Sequence, residues 1–377
     1  MSPPPPPPTT VSPGLEHARR LVLEHGWNAT AYQILNPGIS LWFSGARDAV
    51  LGYVRHGRTR VVAGAPVCEL ARLPAVAAEF ESEAAGRRER VCYFAAESRL
   101  ESLHRPAGPY ARVLLGAQPV WHPRALLEGL GRHASLRAQV HRAANKGVTV
   151  AERAAAAAES DPELRRCLAE WLATRGLPPL HFLVEPRTLE HVLDRRVFVA
   201  ARGGRAVGFL VASPIPRRDG WLVEQIVRGR GACNGTSELL LQGAARSLAA
   251  SGAMLLTLGL APLARHGVPG DYVAPRWTRL AFAWLRAHGR RFYNFDGLEA
   301  FKAKFQPERW EPVFALATSK AITPSTLWAI AGAFARGSPL VLGGRALLRA
   351  ARAEVARLAA RVGGARARRG RAEPAPR

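Results

Sequence analysis

The sequence predicts an α/β protein built from two tandem copies of one unit, each with a mixed, mostly antiparallel sheet flanked by helices. Three observations carry this expectation. Two apolar, partly alternating runs, 48–54 and 59–65, flank His56-Gly57-Arg58, and a similar pair within 197–211 flanks Gly203-Gly204; each pair reads as a β-hairpin. The hairpins lie about 150 residues apart, each preceded by helical and followed by strand-like pattern, as a duplicated unit requires. A turn signal, Asn145-Lys146-Gly147, falls between them, and 377 residues at 48% apolar content suffice for two cores.

Residues 1–13, with the run from Pro3 to Pro8, form a PPII-prone leader without the regions of a secretory signal. A helix over 15–25 stops at Gly26. After the first hairpin come a helix (73–85), a strand (90–94) and a strongly basic helical stretch (123–144), so the first domain is placed at 14–145. The second, 146–320, restarts with a strand (148–152) and a helix (163–175) ahead of its hairpin. A strand (221–228), a glycine-rich turn and a helix (236–250) follow, with Asn234 or Thr236 as N-cap and Gly252 as the stop. An amphipathic helix (277–288), a strand (291–295) and a short helix (297–305) close this half. Residues 321–377 form a basic, partly helical extension. Its 322–342 segment is too interrupted by Pro, Gly and Arg336 to span a membrane. Arg345, Arg349, Arg352, Arg357 and Arg361 then recur at near-helical spacing, which suits either an anionic membrane surface or a solvated helix.

The 53 Lys and Arg against 29 Asp and Glu give a net charge of +24, which predicts attraction to polyanions, either RNA or an anionic membrane face. Ten Arg against two Glu beyond residue 344 supply +8 of it. The four cysteines, Cys68, Cys92, Cys167 and Cys233, lie far apart, which suits reduced thiols in the cytoplasm and suggests neither a disulfide framework nor a zinc site. No GxSxG elbow, HExxH, P-loop or dinucleotide fingerprint is present, and the eleven His show no close pair at ligand spacing. Hydrolase, kinase and metalloenzyme readings lose support, and no metal is expected.

Chemistry concentrates between Trp221 and Pro312. Period-two alternation over 221–228 places Glu224 and Arg228 on one face of a strand and Gln225 on the other. The turn that follows would present free N–H groups at a helix start, suited to an anion or a developing oxyanion. Arg228-x-x-Gly231-x-Cys233 is within one residue of the Gln/Arg-x-x-Gly-x-Gly/Ala loop of acetyl-CoA-dependent GNAT enzymes, so an acyl-CoA transferase is one reading and a structural turn another. Only four basic residues are Lys, and two of them stand in Phe301-Lys302-Ala303-Lys304-Phe305. In a chain that otherwise writes positive charge as Arg, paired lysines suggest a compact ammonium donor. On a helix, Lys302 and Lys304 flank the Leu298, Phe301, Phe305 face on opposite sides, positioned either to reach a cleft beside it or to snorkel at the surface.

Several segments together resemble the C-terminal catalytic domain of the phosphatidylglycerol lysyltransferases. They are Gly26-Trp27-Asn28-Ala29-Thr30, Gly52-Tyr53, Ala63-Gly64-Ala65-Pro66-Val67, Leu136-Arg137, Asn145-Lys146-Gly147, Asn234-Gly235-Thr236-Ser237-Glu238 and Leu258-Gly259-Leu260-Ala261-Pro262-Leu263. The most specific is Tyr293-Asn294-Phe295-Asp296-Gly297-Leu298 running into the Phe301 to Phe305 segment and Trp310-Glu311-Pro312. The resemblance implies two tandem GNAT-like halves, no acetyl-CoA and no other cofactor. It implies an active site in the second half that receives an aminoacyl-tRNA end and an anionic phospholipid head group at the inner membrane face. It also implies that Glu224 or Glu238 serves the amino acid's ammonium or the base. Arg228, Lys302 and Lys304 would hold phosphate or stabilise the oxyanion, with Asn234, Gly235, Thr236, Tyr293, Asn294 and Phe301 lining the substrates. Family members carry an acidic residue three positions before the matched Arg, where this chain has Gln225, so a different amino-acid specificity is expected. The multi-span module of full-length members is not within this sequence, so a modified lipid would be made without being translocated.

Overall fold

The structure is a computed structural model that describes residues 12–104, 110–175, 180–190, 193–288, 294–319 and 321–335. The first half opens with α1 (Pro13–His25), N-capped by Ser12 and burying Ala18, Leu21 and Val22. It continues through β1 (Ser40–Phe43), β2 (Val50–His56), β3 (Thr59–Ala63), α2 (Leu73–Gly86), β4 (Arg90–Ala96), α3 (Ser98–His104), β5 (Ala111–Trp121), α4 (Pro123–Arg132) and α5 (Ala134–Asn145). The second half has β6 (Val148–Arg153), α6 (Ala155–Ser160), α7 (Pro162–Ala173), β7 (Arg196–Arg202), β8 (Arg205–Ile215), β9 (Gly220–Arg228), α8 (Thr236–Ala250), β10 (Leu255–Thr257) and β11 (Ala261–Pro262). Then come α9 (Arg276–His288), α10 (Phe295–Ala303), β12 (Arg309–Ala317) and α11 (Pro324–Ala335).

All twelve strands of the described residues join one sheet, in the order β1-β2-β3-β4-β12-β5-β10-β9-β8-β7-β6, with β11 pairing β5. Pairing is antiparallel except for β3 with β4 and β9 with β10. Each parallel pair is joined by a helix, α2 in the first half and α8 in the second, so the duplication expected from the hairpins is a duplicated βαβ unit. The halves also interlock, because β12 inserts between β4 and β5. Pro312 is tolerated there because it pairs only toward β5, and the β4 ladder begins at Phe314.

Apolar alternation sorts the helices. In the second half, Leu240, Leu241 and Leu248 of α8 pack with Leu136, Trp121 and Leu210 on one face of the sheet, while Leu164 and Cys167 of α7 cover Val199 and Phe209 on the other. In the first half, Val76 and Phe80 of α2 lie on one face, and α1 with Ala329 and Ala333 of α11 on the other. Thus residues 324–335, expected in a C-terminal extension, cover the first half's sheet. The arginine-rich segment beyond 335 lies outside the described residues. Among those described, no helix is long and apolar enough to cross a membrane.

Some boundaries differ from expectation. The 123–144 stretch breaks at His133 into α4 and α5. Neither Asn234 nor Thr236 caps α8; Gly235 does, at φ 95°. A Cβ there would stand 1.9 Å from the Gln139 carbonyl oxygen of α5. Gly235→Ala therefore combines left-handed strain with a backbone clash, and a loss of about 3 kcal/mol or more is expected in a denaturant melt. An unchanged midpoint would show that α5 yields freely at this contact.

Candidate active site

Helix α10 starts at Phe295, and residues 291–293 of the strand expected over 291–295 lie outside the described residues. Asn294 caps the helix, its side-chain oxygen accepting from the Gly297 N–H at 2.9 Å. Tyr293, the other residue implied there, lies outside the described residues. The helix turns its two lysines to different partners. The Lys302 ammonium is buried and donates to the carbonyl oxygens of Leu258, Gly259 and Leu260 at 2.7, 2.8 and 2.9 Å. Gly259, at φ 68°, takes the chain out of extended conformation and lets three successive carbonyls converge. All three ammonium protons are then engaged within the protein. Lys302 accordingly anchors α10 to the segment after β10.

Burial pushes the Lys302 pKa down to about 7. An unfolded lysine titrates near 10.4, so between those values the unfolded chain holds the extra proton and folding stability rises with pH. Wild-type stability should therefore climb relative to a Lys302→Met variant as pH rises from about 7 toward about 10.4, as read by denaturant melts. Parallel curves would contradict this account of Lys302.

Lys304 projects the other way. Its ammonium sits 2.6 Å from the Glu238 carboxylate and over the rings of Phe301 and Phe305, at 4.2 and 4.9 Å. Phe305 is pinned in turn by the Trp121 indole N–H, which donates to its carbonyl oxygen at 3.0 Å. Glu238 lies in the first turn of α8, where the helix dipole favours a carboxylate. The pair is partly open, the Lys304 side chain keeping 33% of its exposure against 10% for Glu238. Of the residues before it, Asn234 is exposed, and the Thr236 hydroxyl donates to the Cys233 carbonyl oxygen at 2.8 Å.

The two charged residues of β9 separate. Between β8 and β9 the register runs from Val211↔Gln225 to Ala212↔Val223, leaving Glu224 as the extra residue of a β-bulge. Val223 and Ile226 consequently share the α8 face, and continuing the alternation from Ile226 puts Arg228, exposed at the strand end, on that side too. Glu224 points to the opposite side. There its carboxylate accepts from Arg195 at 2.7 and 3.3 Å and from the Gln33 amide at 3.4 Å. Arg195 also donates to Asn36 and lies over the Tyr32 ring. Both members of the ion pair keep only 3% of their side-chain exposure. Glu224 is thus part of a buried polar clamp between the halves and not of the lysine site. Sequence reading missed Arg195 altogether, since nothing in its neighbours distinguishes it from the chain's other arginines.

Beside this site strands β9 and β10 part. Strands β9 and β10 pair only over Gly220–Leu222 and Leu255–Thr257; beyond them β9 runs on to Arg228, while the other chain turns away to pair β5 as β11. The lysine-bound carbonyls of residues 258–260 line one side of that divergence, and β9 with the glycine-rich turn into α8 lines the other. Among the described residues no three His, Cys, Asp or Glu side chains gather as a metal site would need.

The family model described as phosphatidylglycerol lysyltransferase, C-terminal, matches residues 19–317. No curated protein matches the chain. Among solved structures, the C-terminal domain of an Agrobacterium fabrum protein described as a lysylphosphatidylglycerol synthetase superposes with a TM-score of 0.72 at 24% identity, over 86% of this chain and 98% of that one. L-PGS from Bacillus licheniformis gives 0.70 at 21% identity, over 89% and 98%. These two likenesses show the same fold, and the expected mixed, mostly antiparallel α/β sheet flanked by helices is the one observed. The match over 299 consecutive positions shows that the chain belongs to the phosphatidylglycerol lysyltransferase C-terminal domain family, a family of lipid-modifying transferases.

Proposed function

We propose that the second half transfers an amino acid from an aminoacyl-tRNA to a hydroxyl of phosphatidylglycerol or a similar anionic lipid at the inner membrane face. The observation that carries this is the partly open Lys304–Glu238 pair, brought from α10 and α8 to the side of the sheet that Arg228 also faces. In the reaction the lipid hydroxyl oxygen bonds to the aminoacyl carbonyl carbon and the ester bond to the tRNA ribose breaks. The hydroxyl proton passes to a base and finally to the released ribose oxygen. Lys304 donates to the oxyanion that develops on the carbonyl oxygen, and Glu238 holds the amino acid's ammonium or takes the proton. Arg228 binds phosphate at the mouth. Lys302 is a positioning residue, because its donors are occupied by carbonyls.

An acidic residue in the first turn of α8, Glu238, weakens the acyl-CoA reading, since its negative charge opposes that of a pyrophosphate at the same helix end. Exposed Arg124, Arg132, Arg137, Arg142 and Lys146 on and just after α4 and α5 concentrate positive charge in this segment, as tRNA phosphates would require. Arg137→Glu with Arg142→Glu should weaken tRNA binding at least tenfold and flatten its salt dependence in a filter-binding titration. An unaltered titration would place the tRNA elsewhere.

The reading as a whole is tested by expression in a host that lacks aminoacylated lipids, followed by mass spectrometry of the extracted lipids. A new aminoacyl-lipid is expected. An unchanged lipidome with the folded protein present would refute the lipid acceptor.

A further inference from the structure

The second βαβ unit carries the lysine site at the ends of its parallel strands, and the first has a cleft in the corresponding place. It lies where the chain leaves β3, at residues 65–68, and where it leaves β4, next to Arg99. It is small, with a cavity volume of about 20 Å³, and is lined by His25, Trp27, Asn28, Pro66, Leu70 and Arg99 among others. The carboxyl ends of parallel strands, where the chain diverges, are a general location for ligands in α/β sheets.

Charge in this cleft is unbalanced. Arg99 is half-buried and has no carboxylate or other hydrogen-bond partner for its guanidinium among the described residues. Burial and the neighbouring Arg217 and Arg218 depress its pKa. Arg218 is already committed, to Glu311 at 2.6 Å and Glu97 at 3.4 Å. Arg99 and Arg218 both lie over Trp27, at 4.4 and 4.8 Å. These contacts hold the Arg99 guanidinium without neutralising it. A half-buried cation with an open fork of donors suits a carboxylate or phosphate, which it can take bidentately.

Two more polar groups there lack partners among the described residues. The Asn28 side-chain nitrogen and the His25 Nδ1 are buried without a hydrogen bond, and Asn28 keeps only 6% of its exposure. Buried donors are seldom left so unless a ligand or water completes them. The remaining wall, with Ala65, Pro66, Val67 and Leu73, is apolar. We infer that the first half binds a small organic anion, with one carboxylate or phosphate on Arg99 and a short apolar body against Pro66 and Leu70. The turn at 216–218 packs behind the cleft wall, its Arg217 N–H donating to the carbonyl oxygen of Gly26, between the lining residues His25 and Trp27, at 2.9 Å.

This inference is independent of the transfer reaction, and its test reads binding. The full chain is titrated by calorimetry with inorganic phosphate, glycerol 3-phosphate and butyrate in turn. Saturable binding of at least one probe is expected, and which one binds distinguishes a free phosphate, a head-group-like phosphate and a carboxylate. Arg99→Gln, which removes the charge, and Leu70→Trp, which fills the mouth at a residue that is 54% exposed, should each weaken that probe at least tenfold. Lys304→Ala should leave it within twofold, so loss of transfer and loss of this site are separable. Absence of saturable binding by all three probes, or binding that either cleft variant leaves within threefold of wild type, overturns the inference.

Discussion

Lys304→Ala should lower aminoacyl-lipid formation by about 100-fold while the protein stays folded, because removing one preorganised donor to a developing oxyanion typically has that effect. The side chain is one-third exposed and ion-paired on one side only, so its truncation leaves no buried cavity. Glu238 would lose its 2.6 Å partner but lies near the helix N-terminus, whose dipole continues to stabilise the carboxylate. Lys304→Arg should recover little, since a guanidinium fork, although it can stack on the Phe301 and Phe305 rings, carries its donors farther out and cannot place one at the same point as a compact ammonium. The check is initial product rate per folded molecule, with circular dichroism alongside. A variant within threefold of wild type would remove Lys304 from the chemistry.

The second large effect is on stability. Arg195→Ala should cost about 3–5 kcal/mol in a denaturant melt, because it leaves the Glu224 carboxylate charged and buried with only the Gln33 amide, at 3.4 Å, near it. The loss extends across the halves: Gln33, Asn36 and Tyr32 belong to the first and Arg195 and Glu224 to the second. Replacing both charges together, as Arg195→Met with Glu224→Leu, should restore most of that stability, since a buried ion pair is often matched by apolar groups of similar size. If Arg195→Ala melts like wild type, the clamp does not hold the halves together.

Much of the architecture is legible in the sequence because it is local. Both hairpins, helices α2, α7 and α8, and strands β4, β6 and β9 follow from apolar period and turn residues at nearly the observed positions. The central strands β5 and β12 escaped, as Gly116 and Pro119 in one and Pro312 in the other read as breakers. Those residues are tolerated only because of long-range pairing: Gly116 admits the close passage of Ala261, whose carbonyl oxygen a Cβ would meet at 2.2 Å. The site was legible in part for the same reason. Helical period correctly sends Lys302 and Lys304 to opposite sides of α10, yet it carries no sign that three carbonyls gather at Gly259 to occupy one of them. Glu224 went to the wrong side because strict alternation does not foresee a bulge.

The central claim is tested most directly with purified components: protein, phosphatidylglycerol vesicles and tRNA charged with a radiolabelled amino acid, each of the twenty in turn. For at least one amino acid, label should pass from the tRNA to the organic phase, and the transfer should fall about 100-fold with Lys304→Ala. Label that stays on the tRNA for all twenty, with folded protein and intact vesicles, would contradict the assignment.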